Sequence, residues 1–528
     1  MSVLGTCPAI YQQIRHTNFK SYEFDCLYLL GLSFLASVTV GISKETLQQQ
    51  YPIIPCKANT NMTDTPSHPL PLDPREQPIL DNLQAIRDEL TLLKSDRTSY
   101  VKAADVLALY DRTVEQVKLL TEIRADKPDE QNRVFEDPRW DVLSVLTRSL
   151  TVDRVLDGCF QLLSLFFMTI GKTNEAPAAY SLTSTIKRLL DHLIEVDLYS
   201  AKDLEHVSHT LDRLGGIVKK ADESYSTKLI TLLSNRIDIC KADLAYLEER
   251  LKRHNELADI HEKIISILRS ISLANTKAKF SSTEVTKLQN QLKEIDAKRV
   301  DGKFLTADGQ VAAGSDEVSE HLERCLMWSE IVLERKGQFP EAFKEVYQTL
   351  INIRNQLERL SLTQAWSLRE TDLYDFQRQL DKIDESRVDG NFVDAEGNFA
   401  ELYVQRTLLY LIRRSYAYIY YLMVSSEPVS EALLPVYNQL QTLRRCLIEV
   451  KNSGGVSSPR ELYPYSMKVG GLLNDLQELN SIDNMRVDGK FMLGDDIPEG
   501  QGSINDLLAE CFELSYELRV AAETDSDA

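Results

Sequence analysis

The chain has 528 residues, with 80 Asp and Glu against 60 Lys and Arg, and a formal net charge of −20. That length holds enough apolar material for about two to four domains, each burying its own core. The acidic balance, with no run of Lys or Arg, argues against a nucleic-acid partner. Eight scattered cysteines with no Cys-x-x-Cys pair fit free thiols in a reducing compartment rather than a disulfide framework.

Residues 1–61 differ in character from everything after them. Cys26 to Ile42 is an uncharged apolar run of 17 residues, at the short limit for crossing a bilayer. Glu23 and Asp25 abut it and no small-residue cleavage site follows, so it reads poorly as a signal sequence. The expectation is an extension upstream of a start at Met62. The alternative is a membrane tether through residues 26–42. Residues 62–78 form a Pro-rich polar leader.

From Ile79 the pattern is helical. Ile79, Leu83, Ile86, Leu90 and Leu93 recur three and four apart, which puts them on one helical face. Val106 to Ile123 repeats the pattern, Lys127 to Pro138 reads as a loop, and Trp140 to Ile170 reads as a buried helix carrying Asp153, Arg154 and Asp157. No proline occurs between Pro177 and Pro340, which suits long uninterrupted helices. Ile237, Cys240, Leu244, Leu247, Leu251, His254, Ala258, His261, Ile265 and Leu268 form a heptad-like seam for antiparallel packing. Residues 79–255 are expected to make an N-terminal helical domain.

A repeat dominates the remainder. The pattern Leu-x-x-Ile-Asp-x-x-Arg-Val-Asp-Gly-x-Phe occurs three times, with its arginines at Arg299, Arg387 and Arg486, which are 88 and 99 residues apart. Leu and Ile three apart end a buried helix. Asp-Gly between Val and Phe reads as a tight reversal of extended backbone. A second Gly-containing turn follows each copy, at Gly309, Gly397 and Gly500. A helix precedes each pair of motif and turn, as in Glu341-Ala342-x-x-x-Val346-Tyr347 and Glu431-Ala432-x-x-x-Val436-Tyr437. The unit is thus helix, helix, loop, helix, spanning about 256–339, 340–427 and 428–520, and such tandem units stack. The predicted fold is all-α: tandem antiparallel bundles of a helical repeat of about 90 residues with short hairpin-like loops. Residues 521–528 read as an acidic, disordered tail.

The candidate residues are Arg299, Asp301, Gly302 and Phe304 in the first copy, Arg387, Asp389, Gly390 and Phe392 in the second, and Arg486, Asp488, Gly489 and Phe491 in the third. On a structural reading, Phe plugs a groove between helices, and Arg pairs with the Asp three residues earlier or with helix-end carbonyls. On a functional reading, the three arginines bind anions or a partner's carboxylates. The spacing lacks the oxygen ligands and closing Glu of a calcium loop.

Other motifs carry less. Gly171-Lys172-Thr173 lacks the earlier Gly of a phosphate loop, because Phe167 stands there. His206-x-x-His209-x-x-Asp212 shares a helix face but reads as solvent-facing, and His254 and His261 read as satisfied core or boundary histidines. Tyr410, Tyr416, Tyr418, Tyr420 and Tyr421 make one helix aromatic-rich, read as core plus an interaction surface. No catalytic residue, cofactor site or metal site is expected.

The three loops, with Asp73-Pro-Arg-Glu-Gln-Pro-Ile-Leu80 and Ile86-Arg-Asp-Glu-Leu90, resemble a fungal protein family defined by a domain of unknown function, over about residues 62–520. The resemblance implies a soluble intracellular protein, cytoplasmic with the nucleus as a second compartment, and carries over no catalytic residues. The expected role is a helical scaffold with protein partners. The alternative is a small-molecule or anion binder, or an enzyme, using the loops.

Overall fold

The computed structural model describes residues 73–125, 150–221, 225–456 and 479–526. The expectations for residues 1–61, most of the leader, and Lys127 to Pro138 lie outside them. The all-α expectation holds. The described residues form fifteen α-helices and one two-stranded ribbon.

Helices α1 (Gln77–Ser95) and α2 (Ala103–Arg124) lead to α3 (Leu150–Thr169), α4 (Ala179–Val196), α5 (Ala201–Lys219) and α6 (Thr227–Lys252). Of the stripe read in α1, Ile79, Leu83, Ile86 and Leu90 are buried, together with Leu80, while Leu93 is half-buried. Local chemistry sets the ends. Asp197 closes α4 in the left-handed region at φ 56°, which Asp tolerates better than most residues. Ser200 and Asp203 form a capping box at the start of α5, satisfying N–H groups the helix itself cannot.

The repeat units follow. The first is α7 (Ala258–Asn275), α8 (Ser282–Asp296), loop and α9 (Ser315–Arg335). The second is α10 (Lys344–Ser367), α11 (Leu373–Glu385), loop and α12 (Leu402–Val424). The third is α13 (Leu434–Asn452), the short α14 (Leu479–Asp483), loop and α15 (Gln501–Ser526). Within each unit the last helix packs on the earlier ones.

The heptad-like seam across Ile237 to Leu268 is not one helix. It breaks after Lys252, passes through a 3-10 turn at Asn255–Leu257 and restarts at Ala258. The halves have different partners, α6 packing on α4 and α5 and α7 on α8 and α9. The first loop occupies the break: a Cβ on Gly314 would lie 2.3 Å from the Cβ of His254.

Helix α12 is central, with Tyr403, Tyr410, Tyr416, Tyr418 and Tyr420 all buried. The interaction surface expected of this helix is therefore absent among its described tyrosines, since even Tyr421 is half-buried. Their hydroxyls find partners inside: Tyr416 donates to Asp381 at 2.7 Å and Tyr403 to Asn275 at 3.0 Å. A helix contacting neighbours all round needs apolar surface all round, and Tyr supplies it where a polar tip can be satisfied.

The buried apolar residues form two clusters. The larger runs from Ile79 to Met423, on both sides of residue 255, and the smaller from Val429 to Leu518. Arg369 ties the junction, donating to both oxygens of Glu431 at 2.6 and 3.0 Å and to the Asp96 carbonyl at 2.6 Å. Beside it Glu370 accepts from Ser426 at 2.7 Å and Thr169 at 3.2 Å, and burial pushes its carboxyl pKa upward. The acidic tail departs from the expected disorder: α15 continues to Ser526. Ala522 is buried one turn beyond buried Leu518, which extends the apolar stripe past the start of the acidic residues.

Candidate functional site

The three loops share one backbone. Asp301, Asp389 and Asp488 have φ of 50°, 48° and 52°, and the following Gly302, Gly390 and Gly489 have φ of 79°, 75° and 77°. Two consecutive positive φ values mark a type I′ turn, whose twist matches the flanking strands, and Asp-Gly is the pair that adopts it at least cost. Each turn closes a minimal antiparallel pair. Val300 bridges Lys303, Val388 bridges Asn391, and Arg486–Val487 pairs with Lys490–Phe491.

The phenylalanines point inward. Phe304, Phe392 and Phe491 are 2%, 4% and 2% exposed. Each main-chain N–H is taken by a side chain of the following helix: Ser315 Oγ at 2.8 Å, Gln405 Oε1 at 2.8 Å and Gln501 Oε1 at 2.9 Å. Gln405 and Gln501 also donate back to the Phe carbonyl, at 3.0 and 2.8 Å. One side-chain amide thus bonds both the N–H and the carbonyl of a buried phenylalanine, and the Phe392 carbonyl also accepts from the Ala400 N–H at 2.9 Å.

The arginines turn back onto the chain. Arg299 donates from Nε to Asp296 at 2.7 Å and from a terminal nitrogen to Glu323 at 2.9 Å. Arg387 bonds Asp384 at 2.9 Å, Glu195 at 2.6 Å and the Gly390 carbonyl at 2.8 Å. Arg486 pairs with Asp483 and reaches Asn505 at 3.3 Å. Burial opposes the charge on Arg299 and Arg387, but the surrounding carboxylates prevail and raise both pKa values. The guanidinium donors of Arg299 and Arg387, committed to the chain's own carboxylates, are poorly placed to receive an external anion, whereas Arg486 Nε has no partner.

Each loop is seated on a different element. The first lies on the α6–α7 break, where the Ala313 N–H donates to Glu256 at 2.8 Å. The second grips α4: Asp384 meets His192 Nε2 at 3.1 Å, with Arg188 at 3.8 Å. Burial would raise the Asp384 pKa, but His192, Arg387 and Arg188 overcome it and hold the carboxyl near 2. The third rests on the end of α3 and the start of the last unit: Ser430 N–H donates to the Glu499 carbonyl at 3.1 Å, and Lys172 lies 3.3 Å from the Glu499 carboxylate.

What the loops leave outside is apolar. Val300, Val388 and Val487 sit at the same position in each hairpin and are 53%, 47% and 56% exposed. Leu305, Val311, Phe399, Met485, Met492, Leu493 and Ile497 are exposed beside them. Those ten are more than half of the nineteen exposed large apolar side chains among the described residues. Asp301, Asp389 and Asp488 are also exposed.

The remaining motifs resolve simply. Lys172 pairs with Glu175 at 2.6 Å, so Gly171-Lys172-Thr173 is a helix exit. Asp212 pairs with Lys241 at 2.6 Å. His254 and His261 are buried, but they are not satisfied as the sequence suggested, since one ring nitrogen of each lacks a hydrogen-bond partner.

These features define a class: an all-α protein in which three Arg-Val-Asp-Gly turns, each anchored by a buried Phe, link successive helices of its second half. Residues 249–370 match a family described as a protein of unknown function, DUF2408. A CUB1 family protein of Schizosaccharomyces pombe is 36% identical over 468 residues, covering 87% of this chain and 95% of its own. The Cu(2+) suppressing and bleomycin sensitive protein 1 of Saccharomyces cerevisiae is 33% identical over 529 residues, covering 86% of this chain and 92% of its own. The chain belongs to the CUB1 family. No solved structure matches it.

Proposed function

We propose that this protein is a soluble helical scaffold, working in the cytoplasm with access to the nucleus, that presents its three loops to protein partners. The observation carrying this reading is the set of exposed apolar side chains on three short, anchored turns, with an equivalent valine beside the tip of each. Apolar residues concentrated in this way mark surfaces that other proteins cover, and anchored loops lose little freedom on binding. No described helix is long and apolar enough to cross a membrane.

The test is purification of the tagged full chain beside a variant carrying Val300→Asp, Val388→Asp and Val487→Asp. The expected result is protein partners in stoichiometric amounts with the parent chain, and their loss from the variant at an unchanged melting temperature. Partners retained in full by the variant, or a bound metabolite with no protein partner, would refute the reading.

A further inference from the structure

Two glycines, Gly215 and Gly216, stand inside α5, although glycine is among the poorest helix formers. Neither has a positive φ, so the backbone does not require them. Packing within the chain does not require them either. A Cβ on Gly216 would meet no atom within 4 Å, and one on Gly215 would meet only Lys241 Nζ, at 3.9 Å. Gly216 instead lines a cavity of about 650 Å³ beside the exit of α3. Arg213, Gly216, Ile217 and Lys220 all line it, and their spacing puts them on one helical face. Lys172, Asn174, Glu175 and Tyr225 line it too. Tyr225 is set edge-on to Tyr110 and Phe167, with ring centroids 5.8 and 6.3 Å away.

We propose that this cavity binds a small organic phosphate of about mononucleotide size, its phosphate seated over Gly216 between Arg213 and Lys220. The two cations are seven residues apart, about 10 Å along the helix, and the position between them carries no side chain. Both are exposed. Neither forms an ion pair or a side-chain hydrogen bond among the described residues, in a chain whose formal net charge is −20. Arginine and lysine are the side chains that make charge-assisted hydrogen bonds to phosphate. Ile217 and Tyr225 offer apolar surface to the carbon body of the ligand. The volume falls within the roughly 300–1,000 Å³ of small-molecule pockets, and is too small for a folded partner.

Two features oppose an anion here. The first is the pair of carboxylates on Glu175 and Glu499, and Lys172 answers both, at 2.6 and 3.3 Å. The second is the partial negative charge at the C-terminal end of α5. There the Lys220 N–H already donates to the Gly216 and Ile217 carbonyls, each at 3.2 Å, and the ammonium groups of Lys219 and Lys220 offset the remainder. The cavity is separate from the valine-bearing hairpins, so it stands whether or not those hairpins bind partners.

Equilibrium dialysis of the full chain against AMP and against glucose 6-phosphate tests a planar and a non-planar body, with adenosine and glucose as phosphate-free controls. At least one of the two phosphates should bind once per chain with a Kd below about 1 mM, and its control at least about tenfold more weakly. Gly216→Leu puts a better helix former into the cavity; it should keep or raise the urea midpoint and abolish binding. Arg213→Gln and Lys220→Gln, both at exposed positions, should each weaken binding about 10–100-fold. Lys219→Gln, outside the cavity lining, should leave it unchanged. Failure of both phosphates to bind at about 1 mM, or equal binding of the phosphate-free control, would overturn the proposal. So would binding retained by folded Gly216→Leu, and the Arg213 and Lys220 variants decide the matter if that chain fails to fold.

Discussion

Replacing Phe392 with Ala isolates what the loop phenylalanines contribute. The ring is 4% exposed, and an aromatic side chain buries about 150–250 Å². At about 25 cal/mol per Å² that is about 4–6 kcal/mol. The β-carbon that remains reduces the loss to about 3–5 kcal/mol, the range of core Phe truncations. Gln405 accepts from the N–H and donates to the carbonyl of residue 392; both main-chain bonds survive the substitution, so the loss measures the ring. Phe399 is the internal control: it lies seven residues on in the same loop and is 62% exposed. Phe399→Ala should change stability by less than about 0.5 kcal/mol. Urea unfolding should show a lowered midpoint at constant slope for Phe392→Ala and the parent midpoint for Phe399→Ala. Equal shifts in the two variants, or a loss below about 1 kcal/mol at Phe392, would refute the anchoring role.

Gly314→Ala should cost about 2–5 kcal/mol in urea unfolding, since left-handed strain and overpacking act together. Gly302→Ala, with φ 79° but no atom within 4 Å of the added carbon, should cost only about 1–2 kcal/mol. Arg369→Ala removes the ion-pair partner of the largely buried Glu431 carboxylate, leaving it the Val101 N–H, and should cost about 3 kcal/mol; an Arg369→Met, Glu431→Leu pair, assayed the same way, should recover much of it. His261 contributes to acid sensitivity: its pKa is depressed from 6.5 to about 3, so its stabilisation is full above about pH 6.5 and lost as pH falls toward 3. The shift sets an order-of-magnitude ceiling of about 5 kcal/mol. Urea midpoints should fall between pH 7 and 4, and His261→Gln should flatten that slope.

The helices were legible because three-and-four spacing is a property of contiguous residues, and the Asp-Gly turns because two left-handed residues in succession demand that chemistry. An Arg and an Asp three apart at a helix end are neighbours by geometry alone. Contacts across long separations were not legible. His192 lies 192 residues from Asp384, and no local pattern announces their meeting. The amides bracketing Phe392 and Phe491 were hidden differently, because Gln405 and Gln501 stand 13 and 10 residues after their phenylalanines and do not align as a motif. The break at His254 was not legible because the apolar stripe runs through it without losing phase, and the loop that packs there, at Gly314, lies 60 residues further on.

The two apolar clusters bear on how the chain folds as it is made. Every residue of the larger one precedes Val429, so a ribosome releases all of that core before completing the smaller. The third unit then arrives as a separate cooperative element, docking through α13 on α10 and through its loop on the end of α3. An element with its own small core opens at lower free energy than the body that carries it. Amide hydrogens of α15 should therefore exchange while those of α12 stay protected, and the loop at Arg486 is the one of the three whose display can change without unfolding the rest.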